Sequence, residues 1–266
     1  MIKITKGPEP KILADNKDIW TEGLMKLIKK YGSYGDIPKN EKDAAIKHYS
    51  HPDIVAALKG TLGNTKCIYC ESYVDVTCFS NIEHFHPKSV SPDETFDWDN
   101  LFVGCTVCNT PKNSFNTSKE PFIHPVNDNP EDYLTFDDLV YIPKAKKGLA
   151  YQKAKKVIDN CKLERIPLAR EHASIQFAFM SNKEALRKKV ELYNGRKSDS
   201  LRFQDAVEIY TSLVGLDKEA CDEAEYAGYM RYLLRKHDVV KDAVAIVDKH
   251  RGELGIPDGF HWSFIF

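Results

Sequence analysis

Apolar residues in the first sixty positions recur at helical spacing. Trp20, Leu24, Leu27, Ile28 and Tyr31 fall on one face, and Gly32 stands where a C-terminal cap belongs. Pro38 is placed to open a second short helix carrying Ala45 and Ile46, and Pro52 a third carrying Ile54, Val55 and Leu58. Gly60 and Gly63-Asn64 then turn the chain. The pattern changes at Cys78, Phe79, Ile82 and Phe85, which predict a half-buried strand that Pro87 ends. Ser91-Pro92-Asp93 marks a loop, and a helix is expected from Cys108 onward with Asn109 near its start. Pro121, Pro125 and Pro130 break the chain into a connector, in which Tyr133 to Tyr141 predicts a short strand or extended link.

Beyond Ala150 the helical period returns. Pro167 is placed to start a long helix with Ile175, Phe179, Leu186, Val190 and Tyr193 along one face, ended by Gly195. Phe203, Val207, Tyr210 and Val214 make a second stripe that Gly215 should end. Asp217 reads as the N-cap of a third helix through Ala220, Ala224, Ala227 and Leu234, and Val239 to Val247 suggests a fourth. Stripes of this kind are core. The segments are therefore an N-terminal helical stretch (1–64), a middle unit (65–120), a Pro-rich connector (121–149) and a C-terminal helical region (150–266). The apolar tail from Gly259 through Trp262 to Phe266 must dock, either back onto the helices or onto a partner.

Composition narrows the class without naming a function. With 266 residues, 42% hydrophobic and 29% charged, the chain reads as an ordinary globular protein. No apolar run approaches the length of a membrane span and no signal-peptide core is present, so the expected compartment is the cytoplasm, with no membrane partner. The net charge of -1 lacks the positive field of an autonomous nucleic-acid binder. Lysines do cluster locally, at Lys144, Lys146, Lys147, Lys153, Lys155 and Lys156 and again around Arg187, Lys188 and Lys189; the first cluster is a candidate phosphate contact. No Gly-rich phosphate loop occurs, so the chain itself should not bind ATP.

The candidate chemistry lies in the middle unit. Cys67/Cys70 and Cys105/Cys108 form two Cys-x-x-Cys knuckles, and two such turns complete the tetrahedral four-thiolate shell that structural zinc prefers. A closed shell leaves no open position, so this Zn²⁺ would hold structure and do no chemistry. The remaining cysteines, Cys78, Cys161 and Cys221, read as reduced, packed thiols. Between and behind the knuckles lie Glu83-His84-Phe85-His86-Pro87, Asn100-Leu101, and Asn109 followed by Lys112 and Asn113.

In order and spacing these residues resemble the HNH endonuclease superfamily in its zinc-stapled form. The resemblance implies an α-rich α+β protein: a ββα-metal core with a four-cysteine zinc site, flanked by N-terminal helices and a C-terminal helical region. Hydrolysis of a phosphodiester needs a base, a cation that offsets developing charge, and groups that fix both in line. His84 is the base of choice, since imidazole titrates near neutrality. By resemblance, Glu83 and Asn109 hold one catalytic ion, and Asn100 orients His84 from the loop. Two oxygen ligands with water and phosphate suit Mg²⁺ or Mn²⁺. Asn113, one turn beyond Asn109, is a candidate third ligand, and Lys112 a further site residue. His86 is expected on the strand face of His84 by period-two alternation, within reach of metal or phosphate.

The opening Ile2 to Lys11, with Cys67-Ile-Tyr-Cys70-Glu71, Pro87-Lys88-Ser89 and Pro121-Phe-Ile-His-Pro125, resembles the PtuB family, HNH proteins of Septu antiphage systems and some retron operons. The likeness is carried by the first half and thins beyond about residue 165. It implies a PtuA-like SMC/ABC-type ATPase as partner and degradation of invading nucleic acid, DNA before RNA. The alternatives are an RNA- or tRNA-cleaving nuclease and a non-catalytic zinc-finger adaptor.

Overall fold

The computed structural model describes residues 1–60, 66–74 and 80–265 and is helix-rich, with two small sheets. Two compact units divide the chain: Met1–Asp137 with Tyr141–Arg165, and Asp138–Val140 with Ile166–Phe266. Among the described residues no helix is long and apolar enough to cross a membrane.

The first unit opens with a short turn, α1 (Lys11–Ala14), then α2 (Lys17–Tyr31), α3 (Lys39–Ile46) and α4 (Pro52–Gly60). The stop after α2 is local: Gly32 adopts φ 94°, and its N–H donates to Ile28 O at 2.7 Å. Such a left-handed cap favours glycine because it carries no Cβ. Leu24, Ile54 and Leu58 are buried. The expected turn at Gly63-Asn64 lies outside the described residues.

Antiparallel strands β1 (Ser80–His84) and β2 (Leu101–Cys105) follow, with Ile82 opposite Val103 and His84 opposite Leu101. The start of the expected strand, Cys78 and Phe79, falls outside the described residues, and β1 stops at His84, before Phe85. A short helix, α5 (Thr106–Lys112), comes directly off β2 and packs on both strands. It starts two residues before Cys108 because the second knuckle is itself its first turn. It ends at Lys112, after which Asn113 turns to φ 42° while its N–H donates to Asn109 O at 2.9 Å.

After a turn, α6 (Pro130–Tyr133), the connector forms a hairpin of β3 (Leu134–Asp137) and β4 (Val140–Pro143), and α7 (Gly148–Asn160) closes the unit. The N-terminal decapeptide, which carries no periodic signal, is threaded into this core. Met1, Ile2 and Ile4 are buried, Ile4 N–H donates to Pro125 O at 2.8 Å, and Trp98 Nε1 donates to Gly7 O at 3.1 Å.

In the second unit, α8 (Ile166–Gly195), α9 (Asp199–Lys218) and α11 (Asp238–Lys249) pack on one another, and α10 (Ala227–Lys236) lies against α8 and α11. Two expectations are corrected. Gly215 does not end α9, because Ile209, Leu213 and Leu216 continue one buried stripe past it. Asp217 is therefore in the last turn of α9 and caps no helix; the next one begins at Ala227, after Tyr226 at φ 54°.

The tail folds back within this unit. Trp262 and Phe264 are buried, Arg235 Nε donates to Phe264 O at 2.7 Å, and Ser263 N–H donates to Asp217 Oδ1 at 2.6 Å. Phe266 lies outside the described residues. Because Trp262 is 6% exposed, Trp262→Ala is expected to cost about 3–5 kcal/mol. Urea unfolding followed by circular dichroism checks this; a loss below about 1 kcal/mol would mean the tail is only laid on the surface.

Candidate functional site

The four knuckle sulfurs converge. Cys67, Cys70, Cys105 and Cys108 are buried, and their Sγ atoms lie within 4.8 Å of one another. Cys70 Sγ and Cys105 Sγ are 3.8 Å apart. That is far too long for a disulfide, but it equals the edge of about 3.8 Å of a tetrahedron with metal–sulfur bonds near 2.3 Å. The cluster could therefore hold a metal such as zinc. Its halves come from two places in the chain: Glu71 N–H donates to Cys67 O at 2.9 Å and closes the first knuckle, and Ile68 N–H donates to Val103 O of β2 at 3.0 Å and joins that knuckle to the strand leading into the second. Glu71 makes the first turn at φ 65°. Burial pushes the Cys67 thiol well up, while bonds from the neighbouring cysteines hold Cys70 well down. Arg165 Nη1 points at Cys108 Sγ from 3.5 Å.

On β1, Glu83 turns inward. Its Oε1 accepts from Lys112 Nζ at 2.6 Å and from Tyr69 OH at 3.0 Å, all three groups being buried. Burial raises the carboxyl pKa against the pull of the Lys112 ammonium. Lys112 also donates to His84 O at 3.1 Å, so it clamps α5 onto β1. The Cβ atoms of Glu83 and Asn109 both flank Gly104 of β2. A Cβ on Gly104 would sit 3.2 Å from Glu83 Cβ and 3.7 Å from Asn109 Cβ. The lack of a side chain at Gly104 leaves room for the stems of both residues.

His84 is buried with its ring fixed at one end. Nε2 is 3.0 Å from Thr95 O, and since a carbonyl only accepts, Nε2 carries the proton and Nδ1 keeps its lone pair. Nδ1 accepts from Lys88 Nζ at 3.5 Å, and the Tyr49 ring stands edge-on, centroids 4.8 Å apart. Burial, with Lys88 nearby, lowers the His84 pKa to about 3, so the ring is neutral at physiological pH.

Asn100 does not touch that ring. Its Oδ1 accepts from His86 N–H at 2.6 Å, and its Nδ2 donates to His86 O and Glu94 O, each at 3.0 Å. It clips the 86–94 loop, while Thr95 at the end of that loop orients His84. His86 is a correction: β1 ends at His84, the alternation stops, and the His86 ring bonds Glu94 in another cleft with Asn100, His124 and Asp128.

Glu83, His84, Asn109 and Asn113 line one cleft of about 540 Å³, walled by Pro87, Lys88 and Tyr34. No family model matches the chain. It is 34% identical over 88 residues to the Septu protein PtuB of Bacillus thuringiensis, covering 33% of this chain and 34% of that protein. The likeness to the Septu protein PtuB of Bacillus mycoides (strain KBAB4) is 28% over 240 residues, 77% of this chain and 76% of the relative. The chain is thus similar to Septu PtuB proteins. The match to the first spans about a third of that relative's length, the second about three quarters.

Beside these PtuB relatives, the structure adds participants that residue type does not announce. Thr95 acts through its backbone carbonyl, which any residue would supply. Tyr34 and Tyr49 arrive from the N-terminal helical stretch. Lys88 follows the Glu-His-Phe-His-Pro run directly, a signal that adjacency alone offered. The lysine cluster expected to meet phosphate is half neutralised: Lys153 pairs with Asp128 (2.8 Å), Lys155 with Asp159 (2.6 Å) and Lys156 with Glu120 (3.2 Å).

Metal analysis of the purified protein is expected to find stoichiometric zinc, and chelation to lower Tm; Cys67→Ser should lose both the metal and the stability it confers. An unchanged Tm after complete demetallation would remove the cluster's structural role. Gly104→Val is expected to destabilise by about 1–3 kcal/mol in urea, because its side chain would enter the space of Glu83 and Asn109.

Proposed function

We propose that this chain is an HNH-type nuclease of a Septu-like antiphage system, hydrolysing phosphodiester bonds of invading nucleic acid in the cytoplasm together with a PtuA-like SMC/ABC-type ATPase. The observation that carries this reading is the meeting of Glu83, His84, Asn109 and Asn113 in one cleft on a β-hairpin-and-helix corner where four cysteines converge. The likeness to PtuB proteins supports the defence setting and, through it, the partner.

The chain's own groups divide the work. Thr95 O holds the proton on His84 Nε2, which leaves Nδ1 to take a proton from the attacking water. A ring with its pKa lowered to about 3 is unprotonated and ready at neutral pH, though a weak base until substrate and cation change its surroundings. Glu83 and Asn109 would hold Mg²⁺ or Mn²⁺, with Asn113 as a further oxygen, and that ion would neutralise charge on the phosphate and the leaving oxygen. Lys112 and Tyr69 fix the Glu83 carboxylate in the meantime, and Asn100 keeps the loop that carries Thr95 closed. Zinc in the four-cysteine cluster would have no part in the reaction.

His84→Ala is expected to keep zinc and Tm while cleavage falls by about 10²–10⁴-fold. Purified protein, alone and with the ATPase, would be given Mg²⁺ or Mn²⁺ and single-stranded DNA, duplex DNA, RNA and tRNA in parallel. Retained cleavage by His84→Ala would reject the assignment of the base. Cleavage of RNA alone would reassign the substrate, and no cleavage of any polymer by the wild-type complex would leave the adaptor reading.

A further inference from the structure

Lys88 is the one cationic side chain lining the Glu83–His84–Asn109 cleft among the described residues, and no carboxylate there lies within ion-pair distance of its ammonium. The other lysine at this corner, Lys112, is fully buried and consumed by Glu83. Lys88 is half-buried, and its Nζ faces only soft or weak partners: His84 Nδ1 at 3.5 Å, the long edge of hydrogen bonding, and the face of Tyr49 at 4.4 Å. Burial lowers its pKa, and the Glu83 carboxylate, already bonded to Lys112 and Tyr69, offsets that only in part.

The position is built. Val90 N–H and Ser91 N–H both donate to Pro87 O at 2.8 Å, which closes a tight turn right at Lys88. The turn delivers the lysine stem over the cleft, and the flexible end of that stem can leave the imidazole for a better partner.

We propose that Lys88 is the anion anchor of this cleft, binding a non-bridging oxygen of the substrate's phosphodiester beside His84. The proposal rests on the nuclease reading above and adds the substrate contact that Glu83, Asn109 and a hard cation alone do not supply. A phosphate within reach of Nζ provides a directly bonded counter-charge. It also draws the ammonium off Nδ1, so the base is uncapped when substrate arrives.

The test is fluorescence anisotropy with a short labelled single-stranded DNA carrying phosphorothioate linkages, in Ca²⁺, across a salt series. Lys88→Met is expected to bind about tenfold more weakly, the loss of one charge-assisted hydrogen bond. Its plot of log affinity against log salt should flatten by roughly 0.7, the share of one phosphate on a single strand. Lys88→Arg should restore most of both, and matching Tm values would show that all three proteins are folded. Wild-type affinity and slope in Lys88→Met would overturn the anchor while leaving the nuclease reading in place. A wild-type protein that binds neither DNA nor RNA oligonucleotides, alone or with the ATPase, would overturn both.

Discussion

The convergence of four sulfurs is the constraint on which the rest of the site depends. Residues 67–70 and 105–108 are separated by a long stretch of chain, and closing a loop of that size carries an entropic cost that a small two-stranded sheet does not repay. A shared metal would offset it with bonds far stronger than any packing contact available here. The geometry then propagates outward. Fixing Cys105 and Cys108 fixes the angle at which α5 leaves β2, and that angle sets the distance between Asn109 and Glu83 across Gly104.

Inside this frame the charges are arranged as opposites. Glu83 is dry, gripped by Lys112 and Tyr69, and could not stay ionised there without them. A buried pair of this kind contributes little net stability but fixes a single arrangement of groups, which a site needs more than it needs stability. His84 is also dry but neutral, its tautomer chosen by a main-chain carbonyl. Lys88, half in water, keeps the freedom that the other two have lost. A buried, paired carboxylate, a neutral ring nitrogen and a half-exposed ammonium are three separate environments within one cleft of about 540 Å³.

Much of this was readable from the chain because the signals are local. Paired Cys-x-x-Cys turns, the Glu83-His84 step and Asn109 behind the last cysteine are short-range patterns, and the helices of the second unit announce themselves by period. What was not readable is non-local or carried by backbone. The alternation that put His86 beside His84 assumes a strand that continues, whereas β1 ends at His84. Gly215 seemed a stop because glycine is a poor helix former, yet a continuing buried stripe outweighs a cost of about 1 kcal/mol. Asn100 was expected to orient His84 from the loop through a backbone or ring hydrogen bond; its side chain bonds the main chain of His86 and Glu94, because an amide serves main-chain groups as readily as side chains.

Arg165 draws a last consequence from the sulfur cluster. Four thiolates around a dication would leave two units of excess negative charge in a dry pocket, and the guanidinium beside Cys108, which cannot lose its proton, would offset part of it at every pH a cell reaches. Electron density on the sulfurs is drawn toward that cation, which blunts their attack on peroxides and alkylating agents. A metal-loaded cluster shielded in this way would be a poorer target for oxidants than four bare thiolates.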